Sequence, residues 1–517
     1  MNRTRNATRN ILFGTILRVY QIVVPFLMRT AMIYFMGVEY LGLNSLFTSV
    51  LQVLNLAELG VGSAMVYSMY KPIADGDKNT ICSLLNLYKK YYFIIGLIIA
   101  CVGIAITPFI PKLIKGDVPG GLNVYILYLL NLTATVLTYW LFAYKNSLLQ
   151  AHQRSDVASK VMLVTTTVQY CLQLLVLWLF KNYYLYVMVL LLTTAFGNIA
   201  TAIVASRFYP EYKPAGKLDK TSVKEINRRI KDLFTAKLGA TIVNSADTVV
   251  ISAYLGLTIL AMYQNYYFIM SSVMSIIAIV FSSSIASIGN SMVTEDIEKN
   301  YHDFEVITFL INWVVTVCMG CFITMYQPFV TLWVGSEYTF DMPFVTLICI
   351  YFYLVTMQQV NGMYKDAAGV WHQDRFRPLI AAIINLGINL LFVRTWGIYA
   401  IVLSTIISYA FISMPWMIHN VFKYIFHRDW KVFVFKIVGY FIVACFISLC
   451  CYGISTFTSG LSFFIQIILN FIISVIVSNA VIILVFRKNA NFVPALSLIN
   501  KMTRGRINKI IEVFARK

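Results

Sequence analysis

The stretch from Arg9 to Gly37, "RNILFGTILRVYQIVVPFLMRTAMIYFMG", has the length and hydrophobicity of a membrane-spanning helix but contains two internal arginines. A helix needs about 20 predominantly apolar residues to cross a bilayer. Arg18 and Arg29 both fall inside this run, and an arginine at the bilayer centre costs about 2.5–3.5 kcal/mol on insertion scales. Charged residues in spans generally face a protein interior or a water-filled cavity, so these two predict a functional interior.

The composition of the whole chain is that of a polytopic membrane protein. Of its 517 residues, 59% are hydrophobic and only 12% are charged, whereas soluble domains have about 45–50% apolar and about 25% charged residues. We predict an all-α fold of about 14 transmembrane helices. The predicted spans lie near 11–34, 42–70, 91–111, 122–144, 157–180, 184–206, 235–255, 260–289, 304–326, 342–364, 378–393, 397–421, 432–454 and 461–486.

The distribution of basic residues supports this count, because lysine and arginine concentrate in cytoplasmic loops. With the N-terminus inside, 35 of the 41 basic residues fall on inside segments, and two more are the arginines of the first span. Both termini are therefore predicted to be cytoplasmic. The formal net charge of +19 reflects this topology and contact with anionic lipids, and it does not indicate nucleic-acid binding. Only four basic residues fall outside: Lys112, Lys115, Lys181 and Arg394.

Several functions lack their sequence signals. The longest outside connection, near 327–341, is about fifteen residues long, which is too short for a soluble domain. No G-x-x-x-x-G-K-[ST] phosphate loop is present, so ATP hydrolysis is not expected. The C-x-x-C at Cys318 and Cys321 lies in an apolar span without a second ligand pair, so we expect packing there and no metal site.

An internal repeat suggests two six-helix halves. The sequence "LLQAHQRSDVASKVMLVTTTVQYCLQLL" (148–175) is similar to "GVWHQDRFRPLIAAIINLGINLLF" (369–392), and both precede the fifth span of their half. Halves with six spans share one orientation, and parallel repeats favour a cavity where two bundles meet. We predict an N-lobe at 1–206, a basic cytoplasmic linker at 207–234, a C-lobe at 235–421, extra helices at 432–486 and a basic cytoplasmic tail at 487–517.

Polar residues form stripes on several predicted spans. Arg18 and Arg29 are three helical turns apart on one face, a spacing suited to a moving phosphate, which guanidinium groups bind in bidentate geometry. The predicted substrate-binding residues are Arg18, Arg29, Gln21, Gln52, Asn55, Asn244, Gln264 and Asn265. The predicted coupling or cavity charges are Glu58, Asp247, Lys237 and Lys365.

Structural roles are the alternative for these charges. Arg18 with Glu58, or Arg29 with Asp247, could form ion pairs that lock helices together. The lysines at 237 and 365 lie near span ends and could extend to the membrane interface.

The 40–92 segment, with its core "LAELGVGSA" (56–64), and "DAAGVWHQDRFRPLIAAIINLGINLLF" (366–392) resemble bacterial oligosaccharide flippases. These O-antigen, capsule and exopolysaccharide translocases belong to the multidrug/oligosaccharidyl-lipid/polysaccharide superfamily. The resemblance covers roughly residues 1–420 and implies two six-helix lobes with alternating access. It implies transport of an undecaprenyl-pyrophosphate-linked oligosaccharide to the outer leaflet of the bacterial cytoplasmic membrane.

The resemblance has further implications for the site and its partners. In related peptidoglycan-precursor flippases, first-helix arginines in places comparable to Arg18 and Arg29 contact pyrophosphate, and the last two helices form a groove for the lipid tail. The expected partners are the polyprenyl-pyrophosphate-linked glycan, membrane lipids, a polysaccharide polymerase and glycosyltransferases. No cofactor is expected; a proton, a sodium ion or the membrane potential alone are the candidate driving forces.

Three other classes compete with this interpretation. A multidrug and toxin exporter shares the fold, but its cationic substrates favour acidic, aromatic cavities. A polytopic glycosyltransferase or polysaccharide polymerase would need a larger outside loop. A non-transporting scaffold would not need two arginines inside a span.

Overall fold

A computed structural model describes residues 3–116 and 118–502, without the side chains of 3–12, 232, 235–237, 240, 243–244, 286 and 501–502. These described ranges contain helices joined by short loops and no strand. The helices are α1 (Arg3–Phe35), α2 (Val38–Leu54), α3 (Val61–Asp75), α4 (Lys78–Ile106), α5 (Val124–Trp140), α6 (Asn146–Ala151), α7 (Ser155–Leu179), α8 (Tyr183–Phe208), α9 (Lys220–Leu255), α10 (Leu257–Thr294), α11 (Ile297–Val334), α12 (Met342–Ala367), α13 (Arg377–Trp396), α14 (Ile398–Ile407), α15 (Met414–Val421), α16 (Trp430–Ser455), α17 (Phe463–Phe486) and α18 (Phe492–Met502).

The all-helical, multi-pass prediction is confirmed, and the count of fourteen is approximate. In the described residues, 12 helices are long and apolar enough to cross a membrane. A thirteenth span results if the pair Val124–Trp140 and Ala143–Ala151, bent by 48°, is taken together. The remaining predicted span, 235–255, falls on α9, where a shorter apolar helix covers Ser245–Leu255. Charged residues along α9 lower its hydropathy.

The chain divides into two compact units, 1–261 and 262–517. In the first unit, α7 packs against α1 and α8, α5 packs against α8, and α9 packs against α2 and α3. In the second unit, α11 is central and packs against α12, α16 and α17. The predicted lobes 1–206 and 235–421 and the predicted extra helices 432–486 stay predictions.

The predicted linker 207–234 contains the start of α9. The Asp219 carboxylate accepts a hydrogen bond of 2.9 Å from the backbone N–H of Ser222 and so caps this helix. Hydrogen bonds from the Ser222 and Thr221 side chains hold the pKa of Asp219 well below its usual range. In the predicted tail 487–517, α18 covers Phe492–Met502, and 503–517 lies outside the described residues.

The sequence repeat has a structural counterpart in each unit. The segments 145–153 and 365–373 share the spacing Lys-x6-His-Gln and are followed by a buried aspartate. In the first unit, Asp156 is fully buried and accepts a 3.0 Å hydrogen bond from Nε of Arg154. The His152 ring stacks on Tyr209 at 4.1 Å, and burial lowers the pKa of this histidine.

In the second unit, the buried aspartate that follows His-Gln binds two cations. Asp374 accepts from Nε and Nη2 of Arg377 at 2.8 and 3.0 Å, and from Nζ of Lys365 at 3.2 Å. The Arg377 guanidinium also donates to the Ser413 hydroxyl. Both units therefore contain a buried carboxylate shortly after the repeated His-Gln, and the two aspartates are offset by two positions when the repeats are aligned.

Candidate functional site in the first unit

The helical span Val38–Asp75 is broken in the middle, at the motif with the most specific family resemblance. α2 ends at Leu54, a 3-10 turn covers Asn55–Glu58, and α3 begins at Val61. Gly60 has φ +89°, and a Cβ there would lie only 2.7 Å from Cβ of Leu233 on α9. This turn therefore requires glycine both for its backbone conformation and for its close approach to α9.

The break presents Glu58 to a group of tyrosines. Tyr92 donates a 2.9 Å hydrogen bond to Oε1 of Glu58, and Tyr88 donates a 2.7 Å hydrogen bond to the Tyr92 hydroxyl. Tyr139 donates to Oδ1 of Asn55 at 3.0 Å, and its ring contacts that of Tyr92 at 5.4 Å. We call these five residues the Glu58 cluster. It combines one carboxylate with a chain of oriented hydroxyls.

The last glycine of the motif keeps this cluster accessible. A Cβ at Gly62 would lie 3.0 Å from the Tyr88 hydroxyl and 3.3 Å from Oε1 of Glu58. Glycine therefore leaves room beside the carboxylate, and the spacing E-x-G-x-G in 58–62 has a direct structural reason.

Two adjoining polar cavities lie in this unit. The first, which we call the Glu58 cavity, has a volume of about 420 Å³ and is lined by Glu58, Tyr88, Tyr92 and Tyr139. The second, the threonine cavity, has a volume of about 670 Å³ and is lined largely by α7 and α8. The two share the lining residues Val66, Asn146, Gln150, Asn198 and Thr201.

The sequence prediction missed the walls of the threonine cavity. Its hydroxyl and amide side chains recur at helical spacing on two predicted spans, a pattern that indicates one polar face per helix. This spacing was the available signal, but uncharged threonines are also common in buried helices, where they bond to their own backbone. The polar wall residues from the two helices are Ser155, Ser159, Thr165, Thr166 and Gln169 on α7, and Thr193, Thr194, Asn198 and Thr201 on α8.

The two predicted arginines have different surroundings on α1. Arg18 is exposed, whereas Arg29 is half-buried and interacts electrostatically with the Tyr186 hydroxyl of α8. The neighbouring Gln21 is exposed, with its amide nitrogen 3.9 Å from the sulfur of Met162. α1 packs along α7, the helix that forms one wall of the threonine cavity.

The structure brings together only some of the other predicted residues. Glu58 and Asn55 are neighbours in the Glu58 cluster, while Gln52 is exposed on α2. Asp247 is buried on α9, which packs against α2. The side chains of Lys237 and Asn244 lie outside the described residues.

Three predicted residues belong to the second unit. Asn265 is fully buried and Gln264 half-buried on α10. Lys365 contacts Asp366 and Asp374, both at 3.2 Å. These ion pairs connect Lys365 to the turn that follows α12.

A many-span helical chain with a hydroxyl-lined interior has the organisation of a membrane transporter. The sequence profile of the polysaccharide biosynthesis protein family matches residues 7–286, more than half of the chain. The chain belongs to this family, and the superfamily predicted from the sequence is confirmed. No curated protein matches the chain.

Solved structures show the same fold at low sequence identity. A lipid II flippase, MurJ, in an inward closed conformation has a TM-score of 0.66 at 14% identity, over 92% of this chain and 99% of that one. An inward-facing multidrug resistance MATE family transporter of the MOP superfamily has a TM-score of 0.59 at 14% identity, over 78% and 96%. A MATE structure in a bent conformation has a TM-score of 0.52 at 13% identity, over 85% and 97%.

Proposed function

We propose that this protein is a flippase for an undecaprenyl-pyrophosphate-linked oligosaccharide, which it moves from the cytoplasmic to the outer leaflet of a bacterial cytoplasmic membrane. The observation that carries the proposal is the pair of polar cavities inside the first unit of a polysaccharide biosynthesis family member. A lipid-facing bundle needs no such interior, because buried polar groups are costly without partners. The hydroxyl and amide groups of sugars would hydrogen-bond to the polar side chains that line these cavities.

The anionic and apolar parts of this substrate have candidate contacts elsewhere. Arg18 and Arg29 on α1 are our proposed pyrophosphate ligands, since guanidinium groups bind phosphate oxygens in bidentate geometry. In the second unit, a groove of about 440 Å³ between α10, α11 and α17 is lined by apolar side chains such as Phe322, Phe329 and Phe471. This groove suits a polyprenyl chain.

The driving force follows from the charge of the substrate. An inside-negative potential favours outward movement of an anion by about 2.3 kcal/mol per charge per 100 mV across the full field. Glu58 and Asp247 are the candidates for a proton or sodium site. A polysaccharide polymerase and glycosyltransferases would act on the glycan after and before transport.

One observation favours a second function. Glu58 with three tyrosines is an acidic, aromatic site, and such sites bind organic cations. A multidrug exporter is therefore the competing proposal, and the two differ in substrate charge.

The test is a flipping assay in proteoliposomes. A fluorescently labelled undecaprenyl-pyrophosphate disaccharide in one leaflet becomes accessible to a membrane-impermeant quencher when it crosses, and ethidium uptake is measured in parallel. We expect the wild type to move the lipid and Gln150→Leu to slow it at least ten-fold, because Gln150 lines both cavities. The matched change Gln466→Leu on α17 should keep the wild-type rate. If the lipid moves no faster than in empty liposomes while ethidium is transported, the flippase proposal is wrong and the multidrug exporter is supported.

A further inference from the structure

A third cavity lies in the first unit, where α3 ends and α4 and α9 begin. Its volume of about 580 Å³ is in the range of ligand pockets, about 300–1,000 Å³. Tyr70 lines both this cavity and the threonine cavity, so the two adjoin each other. We call it the Lys71 cavity, after the lysine that lines it together with Arg229 and Glu225.

The walls of the Lys71 cavity are held in place by contacts between α4 and the α9 region. The Asn86 side chain donates a 2.7 Å hydrogen bond to the carbonyl oxygen of Gly216, just before α9. The Tyr91 hydroxyl donates to Oδ1 of Asn227 on α9, also at 2.7 Å. None of these four residues lines the cavity. Side chains that line it are therefore left available for a ligand.

The charge of the cavity is positive. The Arg229 guanidinium lies 4.6 Å from the centre of the Tyr67 ring and donates from Nη2 to Oε1 of Glu225 at 2.6 Å. A guanidinium has five N–H donors, so this ion pair leaves donors for a ligand. Lys71 is exposed and belongs to no ion pair within the described part of the chain. Two basic residues and one acidic residue therefore line the cavity, and Lys71 is the unbalanced charge.

The position of the cavity is that of lipid headgroups. It lies at the junction of the candidate spans Val38–Asp75 and Lys78–Leu113, which is at a membrane surface. Tyr67 and Tyr70 are exposed near the end of the first of these spans, and tyrosine is enriched at membrane–water interfaces. In the predicted topology this surface is cytoplasmic. Basic pockets between transmembrane helices on that side bind anionic headgroups.

We propose that the Lys71 cavity binds the phosphate group of an anionic lipid in the cytoplasmic leaflet, with Lys71 and Arg229 as its ligands. Both cations form charge-assisted hydrogen bonds with phosphate oxygens, and the Tyr67 ring supports the guanidinium. Two sources supply this group: an anionic phospholipid and the pyrophosphate-linked glycan. The first source is independent of the proposed function. The second rests on it and makes the cavity the place where the substrate enters, beside the threonine cavity.

Lipid binding to the immobilised, detergent-solubilised full-length protein tests the site. The fluorescent ligands are phosphatidylglycerol, an undecaprenyl-pyrophosphate disaccharide and, as a zwitterionic control, phosphatidylcholine. We expect at least one anionic lipid to bind more tightly than phosphatidylcholine. Lys71→Gln and Arg229→Gln should each weaken that binding about ten-fold, the effect of one charge-assisted hydrogen bond. The matched change Lys89→Gln, at an exposed lysine of α4 outside the cavity, should keep the wild-type affinity.

The pattern of losses identifies the ligand. A loss confined to phosphatidylglycerol assigns the site to phospholipid, and a loss that includes the lipid-linked disaccharide assigns it to the substrate. Lys71→Gln remains informative if Arg229→Gln, which breaks the pair with Glu225, does not fold. Equal binding of phosphatidylcholine and the anionic lipids, or unchanged affinities in Lys71→Gln, would overturn the inference. If the variants lose lipid binding but the wild type does not flip the lipid-linked disaccharide, the proposed function fails and the lipid site remains.

Discussion

At the scale of single residues, glycine is required at position 60 both by the backbone conformation and by the close packing against α9. Its φ is +89° and an added Cβ would lie 2.7 Å from Leu233, whereas Gly76, at φ +71°, has no atom within 4 Å of an added Cβ. A left-handed conformation costs about 1–2 kcal/mol for a residue with a Cβ. We expect Gly60→Ala to lower the unfolding temperature further than Gly76→Ala in thermal denaturation of the detergent-solubilised protein. Equal decreases would mean that the contact with α9 adds nothing to the stability of the turn.

The arginines of α1 give a second prediction at this scale. If Arg18 and Arg29 bind the pyrophosphate as proposed, changing either to alanine removes a charge-assisted contact of about 1.5–3 kcal/mol, and substrate affinity should fall ten-fold or more. Lysine keeps the charge but not the bidentate geometry, so it should restore only part of the affinity. Transport and thermal stability are measured together on all four variants. Normal transport by both alanine variants would exclude the arginines from the substrate path, and unfolding of both would make them helix locks.

At the scale of elements, the turn between α12 and α13 depends on one buried carboxylate. Asp374 is 3% exposed and binds both Arg377 and Lys365. Asp374→Asn removes the carboxylate that pairs with Arg377 and leaves Lys365 with Asp366, and breaking a buried pair costs about 3–5 kcal/mol. Glu225→Gln, in an exposed pair with Arg229, should cost less than about 1 kcal/mol. Chemical denaturation measures the loss in free energy of unfolding for each variant. Similar losses would mean that Asp374 and its two cations are solvated.

At this scale, the helices that could be predicted from the sequence are those defined by a long apolar run alone. The long apolar runs correspond to helices, because a bilayer span requires about 20 residues whatever they pack against. The interruption at Asn55–Glu58 was not predicted, since a helical wheel assumes a continuous helix, and the break depends on the packing of Gly60 against α9. Glu58 was predicted to be a coupling or cavity charge from its position on a helical wheel. Its tyrosine partners come from α4 and α5, and tertiary packing brings them together.

At the scale of the whole molecule, family membership and helical class followed from the sequence, whereas the lobes expected from the repeat stay predictions. The helical class was inferred from composition and the family from the 40–92 segment with its 56–64 motif, and neither inference requires knowledge of how the helices pack. The compact units divide between Ala261 and Met262, after α9, because this helix packs against α2 and α3 in the first unit. Sequence spacing shows which residues share a face of a helix, but it does not show which other helix packs against that face. The same limit explains why the α7 and α8 walls were missed.

Whether α9 crosses the membrane determines on which side of the membrane each later loop lies. Three predicted spans, at 235–255, 260–289 and 304–326, separate the loop containing Lys213 from the loop containing Ser336. An odd number of crossings puts these loops on opposite sides of the membrane. In a background without native cysteines, we expect Ser336→Cys to react with a membrane-impermeant maleimide in intact cells and Lys213→Cys to react only after permeabilisation. Both positions are exposed, so a cysteine that does not react lies on the side of the membrane that the maleimide cannot reach. Labelling of both in intact cells, or of neither, would mean that α9 does not cross, and both termini could then no longer lie in the cytoplasm with thirteen remaining spans.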